Sequence, residues 1–328
     1  MGAVVGVDLG GTKVAAAVLA EGRLGDSVTE ATDLSSSDAL VDQLVALVGK
    51  TRTPDLSGVG VGVPSVVEFE TGRVVSSVNV PLADVPLRHV LSDRLGVPVF
   101  VDNDATVAAL AEAFDEELRP VAQNLVMLTI GTGVGGGIVL GGRIYRGCTG
   151  AAGELGHTIV GADTHGPVPL GHHFPQLGSL ESVAAGHALD QLGADLAQDE
   201  ADSALGRLRA EGRTVTGSQV VDAAHDGDPG ALRLVELWAQ RVGLGVANAI
   251  NTFDPDEVVI GGGAARAGDL LLEPATRVAR AYAVPGLGTR TKIRLARYGA
   301  RAGVLGAAML ASHELELSTN PTNAEVSQ

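Results

Sequence analysis

At 328 residues the chain has room for two domains of ordinary size or one large α/β domain with insertions, and two is the expectation. Its 39 acidic residues outweigh 23 basic ones for a net charge of −16, which argues against a nucleic-acid partner because a phosphate backbone would be repelled. No apolar run reaches the roughly 20 residues that span a bilayer, so no membrane partner is expected.

The opening "MGAVVGVDLGG" lacks the basic and long apolar segments of a signal peptide, and a cytoplasmic location is expected. Within it, "AVVGVDLGG" and then "KVAAAVLAEGRL" read as strand, tight turn and strand, with a second turn at Gly22. "ALVDQLVALVGK" has apolar residues at helical spacing, "LSGVGVGVP" and "VPVFVDN" read as buried strands, and "DATVAALAEAFDEEL" reads as a helix. Next comes "LVMLTIGTGVGGGIVLGGRI", which repeats the opening hairpin displaced by 120 residues: Gly11-Thr12 falls on Gly131-Thr132, and Gly22-Arg23-Leu24 on Gly142-Arg143-Ile144. One recurrence at domain-sized spacing predicts two related α/β halves with mostly parallel pairing.

Beyond residue 150 the stretch "GADTHGPVPLGHHFPQLGS" reads as a long loop, and helices dominate as far as "ALRLVELWAQRVGLGVANAINTF". "DEVVIGGGAARAG" restores the strand and glycine turn, and the polar "STNPTNAEVSQ" reads as a disordered tail. The single cysteine, Cys148, allows neither an intramolecular disulfide nor a four-cysteine zinc site.

The glycines of "DLGGT", "GTGVGGG" and "GGGAARAG" each follow an apolar strand and leave backbone N–H groups open to polyphosphate oxygens. The bland alternative is that glycines only close hairpins. Residues 131–136 match G-x-G-x-x-G, but the chain continues as a strand where a dinucleotide fingerprint must open a helix, and no P-loop pattern occurs. Asp8, at the end of a buried strand beside Gly10 and Gly11, needs water, a donor or a cation such as the Mg²⁺ that accompanies ATP; the bland reading is a turn cap. Asp104 reads as the N-cap of the alanine-rich helix, and the positive end of a helix also orients a carboxylate to take a hydroxyl proton. Asn79 and Asn103 can donate and accept hydrogen bonds at once, which suits a polyhydroxylated ligand, as do Glu154, His157 and Glu181.

These motifs, in this order, resemble those of the ROK family, the group of repressors, open reading frames and sugar kinases: "DLGGTK", "VGVPSVVEFETGRVVSSVNVPL", "VDNDATVAALAEA", "TIGTGVGGGIVLGGRIYRG", "GAAGELGH" and "VVIGGG". The resemblance runs from about residue 3 to about 312. It implies an actin-like, ribonuclease-H-like fold of two α/β domains with duplicated βββαβα cores and the nucleotide in the cleft between them. The boundaries expected are 1–120, 121–312 with the last helix able to return to the first domain, and a tail over 313–328. By this resemblance Asp104 is the catalytic base, and Asn79, Asn103, Glu154, His157 and Glu181 hold the sugar. Asp8, Gly10, Gly11, Thr12, Lys13, Gly131, Thr132 and Gly133 hold phosphates and Mg²⁺, with Gly261, Gly262 and Gly263 beside the adenosine.

The family follows "GELGH" with three cysteines that bind a structural zinc together with the histidine, and here those positions carry His172, Phe174 and Ser179. His157 and His172, with His165 and His173 nearby, do not make four good ligands, and apolar and proline contacts are expected in place of the metal. The function expected is ATP-dependent phosphorylation of a hexose, glucose at its 6-hydroxyl, by a homodimer. Rivals are another acceptor (fructose, mannose, N-acetylmannosamine or an amino sugar such as kanosamine), polyphosphate as donor, an ATPase without a sugar, and a sugar-responsive regulator. The last would need a helix-turn-helix for which residues before the first strand leave no room.

Overall fold

A computed structural model of the chain describes residues 2–77, 79–161 and 173–319. Small and β-branched residues alternate through Ala3–Leu9 (β1), which is buried almost throughout, and Gly10 N–H closes a tight turn on Lys13 O at 2.9 Å into Lys13–Ala20 (β2). Glu21 and Gly22, at φ 51° and 73°, form a second left-handed turn into Arg23–Leu24 (β3). Val28–Ala31 (β4), Ser37–Thr51 (α1), Leu56–Val63 (β5), Ser65–Glu68 (β6), Arg73–Ser77 (β7), Leu87–Leu95 (α2), Val99–Asn103 (β8) and Asp104–Glu112 (α3) follow. The first sheet has the order β3-β2-β1-β5-β8, with β4 paired to β2.

Leu125–Ile130 (β9), Val134–Leu140 (β10) and Arg143–Ile144 (β11) repeat the hairpin, and after the loop come Leu180–Ala184 (α4), Gly186–Asp199 (α5), Ala204–Ala210 (α6), Gly217–His225 (α7) and Pro229–Phe253 (α8). Glu257–Gly261 (β12), Asp269–Tyr282 (α9), Lys292–Leu295 (β13) and Ala302–Thr319 (α10) complete the chain. The second sheet runs β11-β10-β9-β12-β13, so each sheet places its hairpin strands in the order third, second, first and adds two parallel strands beyond. The duplication read from the glycine turns is thus a duplication of sheet topology. The strands β3 and β11 sit at equivalent numbers, 120 residues apart.

The chain divides into two compact units: the described residues of Met1–Gln123, Gly137–Gly153 and Ala300–Gln328 form the first, and Asn124–Gly136 with Glu154–Gly299 the second. Against the expected 1–120 and 121–312 division, with a last helix able to return to the first domain, the units differ in the placement of Gly137–Gly153 and in where the last helix ends. Gly137 belongs to the first unit because it packs on α3, where a Cβ would lie 2.5 Å from Ala105 O and 2.6 Å from Ala109 Cβ. The helix α10 also belongs there: it lies on β1 and β5 and beside α3, so residues 313–319 of the expected tail are helical. The remainder of that tail, 320–328, and the loop residues 162–172 lie outside the described residues. α3 is shorter than its apolar pattern suggests, because Asp115 Oδ1 takes the Glu117 and Arg119 N–H groups and turns the chain, with Leu118 at φ 57°.

α10 approaches the sheet backbone to backbone. A Cβ on Gly6 or Gly60 would collide with the carbonyl oxygens of Val304 and Ala307, and one on Gly306 with Val107 O. Gly60→Ala is therefore expected to cost about 3 kcal/mol or abolish folding, whereas Gly49→Ala in α1, whose Cβ would meet nothing, should gain about 0.5–1 kcal/mol. Urea unfolding of the two variants checks this contrast. Each unit has its own apolar core, around β1, β5, α1 and α2 in the first and around β9, β12, α8 and α9 in the second.

Candidate active site

In the first unit the C-terminal ends of β1, β5 and β8 lie side by side: Asp8 is paired with Gly62, Gly62 with Asp102 and Val63 with Asn103. Two strand spacings put Asp8 and the Asn103–Asp104 junction about 10 Å apart on one sheet edge, the edge at which parallel α/β sheets bind ligands. Asp8 is largely buried, and among the described residues its carboxylate accepts no hydrogen bond. Burial pushes its carboxyl up from 3.8 to about 6, and the charge of exposed Lys13 pulls it partly back. A mostly buried carboxylate lacking donors, beside the glycine turn, fits a hydrated divalent cation. Thr12 O accepts Thr32 N–H at 3.1 Å and Gly10 O accepts Thr32 Oγ1–H at 2.7 Å, so the turn is pinned from outside. Asn79 is exposed and runs against it, since a Cβ on Gly11 would lie 3.4 Å from Asn79 Cβ.

The N-cap of α3 is Asn103, not Asp104 as expected: Asn103 Oδ1 accepts Ala105 N–H at 3.0 Å and Thr106 N–H at 3.1 Å. Asn103 is the last strand residue with extended backbone, which a cap requires, while Asp104 is already the first helical residue. Asn103 Nδ2 donates to Ser65 O at 3.3 Å, so toward a ligand Asn103 offers one remaining N–H rather than the donor and acceptor together. Asp104 Oδ1 accepts Ala105 N–H at 2.7 Å, which fixes the carboxylate at the helix start.

In the second unit Gly131 N–H donates to Gly133 O at 2.9 Å, closing the second turn, and Gly186 N–H at the start of α5 donates to Gly131 O at 2.7 Å. Thr132 O accepts from His187 Nδ1 at 3.0 Å; a carbonyl only accepts, so that nitrogen carries the proton. Glu181, in the first turn of α4, accepts Val134 N–H at 2.7 Å through Oε2 and leaves no room at Gly133, where a Cβ would lie 2.5 Å away. Glu154 and His157 flank a 3₁₀ turn with Oε2 and Nε2 3.6 Å apart. His157 packs edge-on against Phe174 with ring centroids 5.1 Å apart, and its Nδ1 is buried with no hydrogen-bond partner among the described residues.

His165 and His172 lie outside the described residues. Phe174 supplies an apolar ring where the family has a thiolate, and the described residues hold no cluster of three or more metal-binding side chains. The described residues do not supply a tetrahedral zinc set.

A cavity of about 260 Å³ in this unit is lined by Gly131, Thr132, His187, Thr216, Trp238 and Gly263 among others. Gly131 and Gly263 have ordinary backbone angles, and a Cβ on either would meet nothing within 4 Å. Neither a left-handed backbone conformation nor protein packing requires glycine at these two positions on the cavity wall. Gly261 and Gly262 differ, being held by packing: their Cβ atoms would strike Met127 and the Ile130 backbone, and Gly262 sits at φ 76°. His187, Thr216, Trp238 and Arg266 were not anticipated from sequence. The visible signals were the T-x-x-Q capping box at Thr216–Gln219 and the lone arginine in "GGGAARAG".

Two α/β units of one strand order, each with a bare glycine turn after its first strand, define a phosphate-handling protein of the actin-like class. A family model described as ROK family matches residues 4–314, and the chain belongs to that family. It is 35% identical to a glucokinase of Halalkalibacterium halodurans over 94% of this chain and 95% of that protein. Among solved structures, a ROK family glucokinase from Streptomyces griseus in complex with glucose and AMPPNP matches with a TM-score of 0.78 at 32% identity, covering 95% of this chain and 100% of that one. A ROK hexokinase from Thermus thermophilus matches at 0.73 and 34% identity over 96% and 99% of the two chains. Among the described residues no helix is long and apolar enough to cross a membrane.

Proposed function

We propose that the chain is an ATP-dependent hexose kinase that acts on the 6-hydroxyl of glucose. The observation that carries this reading is the pair of open glycines, Gly131 and Gly263, facing one cavity that neither fold nor packing explains. The glucokinase and hexokinase relatives support the same reaction. The cavity beside Gly263 takes the adenosine, with Gly261 and Gly262 preceding it in the chain, and the turns Gly10–Lys13 and Gly131–Gly133 offer N–H groups to the phosphates.

Asn79, Asn103, Glu154, His157 and Glu181 hold the sugar hydroxyls. Asp104 accepts the proton of the attacking hydroxyl as the new oxygen–phosphorus bond forms and the bond to the β-phosphate oxygen breaks, releasing ADP. Asp8 would hold Mg²⁺ through water, and the ion would then offset negative charge on the transferring phosphate. By likeness to the family, the protein works as a homodimer in the cytoplasm.

A coupled ADP-release assay with ATP and Mg²⁺, run against hexoses, amino hexoses and N-acetylhexosamines, tests this. Sugar-dependent release with glucose foremost is expected. Phe174 in a thiolate position gives a second acceptor real weight, and release led by another sugar would move the assignment to that substrate. Folded protein with no sugar-dependent release overturns the kinase.

A further inference from the structure

We propose that Arg146 is a positioning residue for phosphoryl transfer, holding through Asp102 the strand-to-helix junction that presents Asp104; the inference rests on Asp104 being the proton acceptor. Asp102 is 1% exposed, in a strand position where an apolar residue would be the inexpensive choice. Both of its oxygens are used. Oδ2 accepts Arg146 Nε–H at 2.7 Å, and Oδ1 accepts the Asn103 backbone N–H at 2.9 Å. Asn103 in turn caps α3 through Ala105 and Thr106, with Asp104 between cap and helix.

Arg146 is itself located from three directions. Its guanidinium lies 3.4 Å over the Phe69 ring, and Nη2 donates to Glu314 Oε1 of α10 at 3.3 Å. Phe69 follows β6, whose Ser65 O receives Asn103 Nδ2, so one short strand touches both ends of the relay. Arg88 of α2 reaches the same place, 5.1 Å over Phe69 and 5.8 Å over Phe100, with its Nη2 donating to Phe69 O. The groups facing Asp102 from the packed elements are therefore Arg146, Arg88 and Glu314, two cations and one further acid.

A buried ion pair is weak evidence for stability, since two apolar residues of like volume fold as well or better. What this pair supplies is a fixed orientation for the Asn103 N–H and hence for the first turn of α3. Burial pushes the Asp102 carboxyl up, while Arg146 by charge and hydrogen bond holds it down. Loss of Arg146 would leave an acid that takes up a proton more readily and aims its oxygens less well.

The test is steady-state kinetics of Arg146→Ala, Arg146→Lys, Asp102→Asn and the Arg146→Ala/Asp102→Asn double variant, beside Asp104→Ala. Arg146→Ala should lower kcat about 100-fold, the scale of a small misplacement of a reacting group, while KM for sugar and ATP stays within about threefold. Its kcat should climb with pH as Asp102 ionises, and the double variant should be no worse than Arg146→Ala alone.

Arg146 borders a cavity of about 500 Å³ lined also by Leu310, His313 and Leu317, so millimolar methylguanidinium can enter the vacated place and should restore turnover at least tenfold. Arg146→Lys keeps the charge but not the fork or the stack and should fall between wild type and alanine. If Arg146→Ala does not fold, Arg146→Lys and the double variant decide, by the same split between kcat and KM.

Wild-type kcat in folded Arg146 variants alongside inactive Asp104→Ala overturns this inference alone. So does a fall in kcat matched by lost thermal stability, flat with pH and deaf to methylguanidinium. Wild-type protein with no sugar-dependent ADP release, or Asp104→Ala with normal turnover, overturns instead the kinase reading beneath it.

Discussion

Asp104→Asn is expected to lower kcat by roughly 10²–10⁴-fold, the range lost when a positioned general base is removed. The substitution is close to isosteric and its side-chain oxygen can still accept the Ala105 N–H that the carboxylate holds at 2.7 Å. The start of α3 and its cap on Asn103 stay in place, so what disappears is the capacity to take a proton. Sugar affinity, read by calorimetric titration, should stay within a few-fold. Asp104→Ala should lose as much turnover with a slightly less stable helix start. Near-normal turnover in Asp104→Asn would remove Asp104 from the chemistry.

Asp8→Asn should act in opposite directions on stability and on turnover. The ordinary carboxyl value is 3.8 and the folded value about 6, so the folded state binds this proton more tightly than the unfolded chain. Ionising Asp8 therefore weakens the fold, fully above about pH 6 and progressively less as pH falls toward 3.8. Asparagine removes that penalty, and without Mg²⁺ the variant should be more stable than wild type at pH 8 by up to about 3 kcal/mol, with the gap closing by pH 4. If Asp8 holds Mg²⁺ as proposed, turnover at pH 8 should fall by about 100-fold or more, and high Mg²⁺ should stabilise wild type but not the variant. Thermal melts at the two pH values, with and without Mg²⁺, check both signs. An Asp8→Asn protein less stable than wild type at pH 8 would show that the carboxylate already has its partner within the fold.

The halves of the molecule were legible because hairpins are local: Gly22 and Gly142 mark the same turn, and the strands after them fall where the repeat puts them. The helix α1 and strands β5 and β8 likewise follow their apolar periods. Two details needed the structure because they depend on distant partners or on backbone angles. The return of the last helix to the first unit was expected, but its close backbone seat on Gly6 and Gly60, some 240 to 300 residues earlier, and its continuation past residue 313 were not legible. The cap was misplaced by one residue, since Asn and Asp cap equally well and only backbone angles separate Asn103 from Asp104.

In the site, glycines and acids stood out, whereas His187, Trp238 and Arg266 did not, because their residue types are as common in cores and on surfaces as in pockets. Asp102 and Arg146 look unremarkable in sequence; their meaning lies in a 2.7 Å contact across 44 positions.

The packing of α10 on β1 and β5 also sets the order in which the protein can be made. The strands emerge from the ribosome first, but the helix that covers Gly6 and Gly60 is translated last, after about 300 residues. About 200 residues separate the end of β8 from the start of α10, so at ordinary synthesis rates the sheet waits roughly 10–40 s with that face open to solvent. The second unit is synthesised within that interval, its last residue, 299, lying just before the helix. The first unit thus begins before its neighbour and ends after it.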